Sequence, residues 1–217
     1  MVTDPPYGVN YDPSWRDEAD KAGVLGNKYP TRSLGKVKND DRADWTEAWE
    51  LFNGNVVYIY HAGLFSNVVG DSLIKAGFEL KSQIIWVKPH FALSRGDYHW
   101  KHEPIWYGVR KGKQHQWQGS RKEHTVWEIA GMNVMGASHD EADEVTGHGT
   151  QKPIECMKRP ILNSSKKHDI IYDPFGGSGS TLIACEQTKR KCYIMELDPK
   201  YCQVIKNRWE KLQIIRE

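Results

Sequence analysis

The run Ile170-Ile171-Tyr172-Asp173-Pro174-Phe175-Gly176-Gly177-Ser178-Gly179-Ser180-Thr181 reads as a short apolar strand, a glycine-rich turn and the first residues of a helix. Glycine lets a backbone turn sharply and come close to a ligand where a Cβ would clash. Outward from this stretch the same alternation recurs. Residues 56–60, 84–87, 104–107, 169–172 and 192–195 are short, β-branched or aromatic and nearly continuous in apolar character. Such strands are covered on both faces, as in a parallel sheet. Helical patterns lie between them. Leu64, Val68, Val69, Leu73 and Ile74 mark one face of a helix that stops near Gly77. Residues 153–162 open with proline at a first helical position, residues 181–188 follow the glycine turn, and residues 200–212 close the chain with Asp198 as N-cap ahead of Pro199. Strands alternating with helices predict a three-layer α/β fold.

At 217 residues the chain fits one compact domain. Its hydrophobic share of 39% supports a core, and no apolar run approaches the roughly 18 residues of a membrane span. The first residues are charged or proline-rich rather than an apolar leader, so a cytoplasmic setting without membrane contact is expected. Cys156, Cys185, Cys192 and Cys202 form no Cys-x-x-Cys pair, which argues against a zinc knuckle or a disulfide framework and predicts buried thiols. The nearest histidine pair, His99 and His102, has no third ligand at a recognisable offset, so no metal is expected. A net charge of +2 is too weak for the whole surface to be a nucleic-acid footprint. One local patch stands out: Arg110, Lys111, Lys113, Arg121 and Lys122 oppose Glu123 alone, with Trp117 among them, a pattern suited to phosphate contact and base stacking. Residues 12–44 and 111–149 lack an apolar period, and loops of that length in a compact domain tend to serve function.

The glycine turn is followed, about 20 residues on, by Glu196 at the end of the next strand, where a carboxylate can accept hydrogen bonds from both hydroxyls of a ribose. The turn has no Gly-Lys-Ser/Thr ending and does not match Gly-x-Gly-x-x-Gly. The expected ligand is a nucleoside without phosphates. S-adenosylmethionine fits, although spacing alone does not single it out.

Near the other end stands Asp4-Pro5-Pro6-Tyr7. An exocyclic amine on a nucleobase is a poor nucleophile because its lone pair is delocalised into the ring. A carboxylate and a backbone carbonyl that accept its two hydrogens favour a localised lone pair and stabilise the positive charge that develops on nitrogen. Asp4 and the Pro5 carbonyl can supply these acceptors. The prolines stiffen the turn and bring no competing N–H, and Tyr7 offers a face for a base taken out of its stack.

With these segments in view, the sequence resembles the S-adenosylmethionine-dependent DNA amino-methyltransferases. Asp4-Pro5-Pro6-Tyr7 looks like the family's catalytic motif in the form associated with adenine N6. The run from Asp173 through Phe175, Gly176, Gly177, Ser178, Gly179 and Ser180 to Thr181 is similar to its cofactor loop, with Glu196 as the ribose-binding acid. Gly149-Thr150-Gln151-Lys152-Pro153 looks like the segment that closes over the methionine end of the cofactor. The catalytic motif precedes the cofactor loop, as in the permuted, beta-type arrangement. The resemblance implies a Rossmann-like methyltransferase fold, a mostly parallel sheet with an antiparallel edge strand, and a single catalytic domain over residues 1–217. It also implies a target-recognition or DNA-contact insertion at about 111–146, in which residues 140–144 are acidic.

The expected function is adenine N6 methylation of DNA, duplex or single-stranded, by direct transfer to a flipped base. Cytosine N4 transfer uses the same geometry. RNA methylation, or a non-catalytic nucleic-acid-binding subunit retaining the fold, are rivals that assay would separate. A homodimer or a partner subunit is compatible with the sequence. Trp86 and Trp106 are expected in the core, whereas Trp15, Trp100 and Trp117 lie in loops and can stack on bases.

Overall fold

The computed structural model describes residues 1–12, 14, 37–92, 96–131, 146 and 150–214. Among the described residues, seven strands and five helices follow in chain order: β1 (Val2–Thr3), α1 (Thr46–Glu50), β2 (Val56–Tyr60), a 3-10 turn (Gly63–Phe65), α2 (Ser66–Lys75), β3 (Phe78–Ala92), β4 (Trp100–Arg110), β5 (Val126–Glu128), α3 (Ile154–Ser164), β6 (Ile170–Asp173), α4 (Ser180–Thr188), β7 (Lys191–Ile194) and α5 (Pro199–Ile214).

Five strands hydrogen-bond in the order β1-β2-β4-β3-β5, and β6 and β7 form a parallel pair. The pair meets the larger sheet at β1, where the Thr3 hydroxyl donates to Asp173 Oδ1 at 2.5 Å. The predicted antiparallel strand is present, but not at an edge: β4 runs antiparallel to both β2 and β3 and lies between them. A hairpin forces β3 and β4 to run oppositely, and the return strand slots beside β2, so both of its ladders are satisfied. The short strands β1 and β5 end the five-stranded order.

Alternation along β2 shows why the sheet needs helices on both sides. Tyr58 and Tyr60 enter one core with Trp86, Ile105, Ile154, Met157, Ile161 and Ile183, beneath α3 and α4. Val57 and Ile59 enter the other, with Trp49, Val69, Leu73 and Phe78, beneath α1 and α2. Trp49 is fully buried and its indole N–H donates to the Ser72 hydroxyl at 3.0 Å, which satisfies the one polar atom that burial would strand. The expected stripe is corrected: Leu64 lies in the preceding 3-10 turn and is exposed, as is Ile74, while Val69, Gly70, Ser72 and Leu73 face inward. Trp86 is core as expected, and Trp106 is half-buried with its indole bonded to the Ser66 carbonyl. Only Cys156 and Cys185 are buried thiols; Cys192 and Cys202 are partly exposed.

Within α3, Pro160 has no N–H to give the Cys156 carbonyl one turn earlier. The Tyr60 hydroxyl takes that carbonyl at 2.8 Å, fastening the helix to the end of β2 where the site lies.

Candidate active site

Asp4 follows β1 directly, at the carboxyl end of the sheet. Its surroundings come from four parts of the chain. Tyr7 Oη lies 2.8 Å from Asp4 Oδ1 and 2.8 Å from Glu103 Oε2, the latter on β4. Lys152, just before α3, places its ammonium 2.6 Å from Asp4 Oδ2 and 3.1 Å from Glu103 Oε2. Lys88 of β3 pairs with Glu103 Oε1. The Lys152 side chain is 5% exposed, so its charge is tolerable only because two carboxylates face it.

Burial raises the Asp4 carboxyl above its ordinary range; Lys152 opposes this, and Glu103 adds to it. Burial acts upward on Glu103 too, but Lys152 and Lys88 overcome it and hold that carboxyl at about 2. Lys152 is pushed above its usual value by the two carboxylates against the opposing effect of burial, so it stays cationic.

The rest of the tetrapeptide is held from the α1 side. The Trp45 indole donates to the Pro6 carbonyl at 3.0 Å. Asp40 accepts from the Gly8 and Tyr11 amides at 2.8 and 2.7 Å, and its own carbonyl accepts from Asn10 at 2.8 Å. Gly8 has a φ of +76°, and a Cβ there would lie 2.7 Å from the Arg42 carbonyl carbon.

The glycine turn and Glu196 come together as expected. Glu196 Oε2 accepts from the Gly177 amide at 2.7 Å and Oε1 from the Asp198 amide at 2.8 Å, so the carboxylate is fixed at the end of β7 facing the turn. Phe175 packs edge-on against Trp45, 4.8 Å between centroids. Ser178, Ser180 and Thr181 are buried. Arg208 donates to the Ser178 carbonyl at 2.7 Å, and the Ser180 hydroxyl donates to the Lys152 carbonyl at 2.7 Å. These side chains shape the loop, and Ser180 ties it to the segment carrying Lys152. Asp173 is pushed up to about 6 by burial, against hydrogen bonds from Thr181, Thr3 and the Phe175 amide. The Thr146 hydroxyl donates to Gln151 Oε1 at 2.7 Å.

The basic stretch begins away from this site, although Lys122 lines a cavity with Glu155 and Arg159 of α3. Arg110 ends β4, seven residues beyond Glu103, about 24 Å along an extended strand. Its guanidinium is committed to the carbonyls of Phe52, Gly54 and Ala76, so the candidate phosphate contact at this position is corrected to a structural tie. Lys111, Lys113, Trp117, Arg121 and Lys122 are exposed. The Gln118 amide bonds to the Asn163 carbonyl, which places that segment at the far end of α3 from Lys152. Trp15 and residues 132–145 lie outside the described residues.

Sequence reasoning missed Glu103, Lys88, Tyr60, Asp40 and Trp45 as parts of the site. A glutamate in a strand pattern, between His102 and Pro104, hinted at a buried charge with partners, but nothing local names the partners.

The three-layer arrangement is the fold of S-adenosylmethionine-dependent methyltransferases. It superposes on the M1.HpyAVI–SAM complex with a TM-score of 0.66 at 24% identity, over 96% of this chain and 86% of that one. On the PvuII cytosine-N4-specific DNA methyltransferase the TM-score is 0.62 at 16% identity, over 99% and 83%. The sequence matches the DNA methylase model of the N6/N4 methyltransferases over residues 1–207, and the chain belongs to that family. Similar proteins include the type II methyltransferase M2.MboI of Moraxella bovis, 26% identical over 98% of this chain and 80% of that protein. Another is M2.LlaDCHI of Lactococcus lactis subsp. cremoris, 25% identical over 89% and 81%.

Proposed function

We propose that the protein transfers a methyl group from S-adenosyl-L-methionine to the N6 amine of adenine in DNA. The observation that carries this reading is Asp4: a carboxylate held by Tyr7 and Lys152 at the end of β1, next to a glycine turn whose facing acid suits a ribose. The donor set fits that cofactor. The turn has no lysine for a phosphate, and Glu196 presents a fixed carboxylate toward a diol. The bound cofactor supplies an electrophilic methyl group on a sulfonium.

The chain's own residues do the rest. Lys152 lies 5.3 Å from the Tyr7 ring centroid, so a flipped base stacks on the ring face away from it. Asp4 and the Pro5 carbonyl accept the two amine hydrogens. Asp4 stabilises the cation as it forms and need not act as a strong base, since the proton becomes acidic only once nitrogen is cationic. Aspartate in the first place of the tetrapeptide is the form that the family resemblance associates with adenine N6, and it is the ground for naming adenine rather than cytosine.

For the DNA itself, the β3–β4 hairpin is the better candidate surface. Beyond Lys88 and Glu103 it carries exposed Phe91, Tyr98 and Trp100, together with His90, His99 and Lys101. Trp100 packs over Gly63, just past the end of β2, on the catalytic side. Residues 111–146 remain a candidate region for target choice within one catalytic domain.

The deciding assay incubates the protein with methyl-labelled S-adenosylmethionine and mixed-sequence DNA, single- and double-stranded, then identifies the labelled nucleoside by mass spectrometry. Label in N6-methyladenine supports the reading, and label in N4-methylcytosine keeps the mechanism and corrects the base. Cofactor binding with no transfer to DNA or RNA favours a non-catalytic subunit.

A further inference from the structure

The catalytic end holds more charge than a single hydrogen-bond acceptor requires. One carboxylate suffices to receive an amine hydrogen, yet Asp4 and Glu103 share the Tyr7 hydroxyl and the Lys152 ammonium. We propose that Glu103 is a positioning residue of the transfer site: its carboxylate draws Tyr7 and Lys152 partly away from Asp4, leaving Asp4 lone pairs for the target amine. This rests on the amino-methyl transfer read above.

The geometry carries the inference. A phenol has one proton, so Tyr7 can donate fully to only one of the two oxygens 2.8 Å away. Lys152 sits between the carboxylates at 2.6 and 3.1 Å, and Glu103 is anchored on its other oxygen by Lys88 from the neighbouring strand. Two carboxylates and two ammoniums cancel. With Glu103 neutralised, Tyr7 and Lys152 turn to Asp4 alone and fill its lone pairs. The site then carries a net positive charge beside a nitrogen that becomes cationic during transfer, which opposes the reaction.

The other groups facing Asp4 are Tyr60 of β2 and Asp173 at the end of β6. Tyr60 is pushed well above its ordinary value, first by burial, and stays neutral. The environment separates the two carboxylates, with burial and then Glu103 raising Asp4 while the lysines hold Glu103 down. A proton entering the pair therefore goes to Asp4.

The test compares the full-length chain with E103Q, which keeps side-chain shape and an oxygen for Tyr7 but loses the charge. The Asp4 carboxyl is followed by carbon-13 NMR against pH without added cofactor, assigned by its loss in D4N. In E103Q the Asp4 midpoint moves down, because a neighbouring negative charge is gone. In K88M it moves up, because a positive charge is gone while Glu103 stays. Turnover on DNA falls roughly 100-fold in E103Q, as for a misplaced reacting group. Cofactor affinity is unchanged, and the acid limb of kcat shifts to lower pH. Opposite midpoint shifts in the two variants are not expected of general loosening. Unmoved midpoints, or shifts in the same direction, overturn the proposal, as does wild-type kcat in E103Q. If E103Q does not fold, K88M alone decides by the direction of its shift. A wild type that methylates neither base sinks the reading of function, while the titration still decides the role of Glu103.

Discussion

On the proposed reading Asp4 accepts from the substrate amine and Glu196 from the cofactor sugar, so their removal has different signatures. Asp4→Ala leaves Lys152 with Glu103 as its remaining carboxylate partner, and circular dichroism alongside the assay checks that the chain still folds. Turnover is expected to fall at least about 10²-fold, as when one preorganised transition-state partner is removed, with cofactor affinity from calorimetry near wild type. Retained turnover would end the assignment of Asp4. Glu196→Ala frees the Gly177 and Asp198 amides and removes a charged hydrogen-bond acceptor. Cofactor affinity is expected to weaken by about 1.5–3 kcal/mol, roughly 10- to 150-fold, with saturating turnover much less affected. Equal affinity in the two proteins would place the sugar elsewhere.

Helix α3 and the β3–β4 hairpin bring distant residues to the site, and each makes a prediction that a local motif does not. Tyr60→Phe removes the hydroxyl donor from the Cys156 carbonyl, which Pro160 cannot serve, and should cost about 0.5–1.5 kcal/mol in urea unfolding. Pro160→Ala restores the helical donor and should reduce the penalty of Tyr60→Phe; additive losses would show that the proline is not the reason for the bond. On the hairpin, Tyr98→Ala with Trp100→Ala should raise KM for DNA several-fold at unchanged kcat, whereas Arg121→Ala with Lys122→Ala should change it little. The reverse result would return the DNA to the basic patch. The strand cores, the glycine turn with Glu196, and Asp4 to Tyr7 were legible in the sequence because apolar runs and special backbone residues are local signals. Glu103 and Lys88 were not, since they matter only through a register that pairs Val87 with His102 across two strands. Arg110 differs from its exposed neighbours for a related reason: a charge run reveals cations but not whether backbone carbonyls already claim one of them.

Across the whole molecule, two buried carboxyls give stability a dependence on pH with opposite signs. Glu103 is held at about 2, below its ordinary 4.5. Its contribution is fully present above pH 4.5 and is lost as pH falls through 2. Asp173 joins β1 to the glycine turn and is raised from 3.8 to about 6. The folded state therefore holds the Asp173 proton more tightly than the unfolded chain does. That contribution is fully present below about pH 4 and is lost as pH rises through 6. Between pH 5 and pH 7 Glu103 is ionised in both states and drops out of the comparison. Wild type should lose about 1 kcal/mol of unfolding free energy relative to Asp173→Asn over this interval, given 1.36 kcal/mol per pKa unit. Urea titrations of both proteins at the two pH values measure the difference directly, and shared effects of other groups cancel on subtraction. Parallel behaviour of the two proteins would mean that the hydrogen bonds from Thr3, Thr181 and Phe175 hold Asp173 ionised despite burial. The joint between the two parts of the sheet would then be a charged one at pH 5 as well as at pH 7.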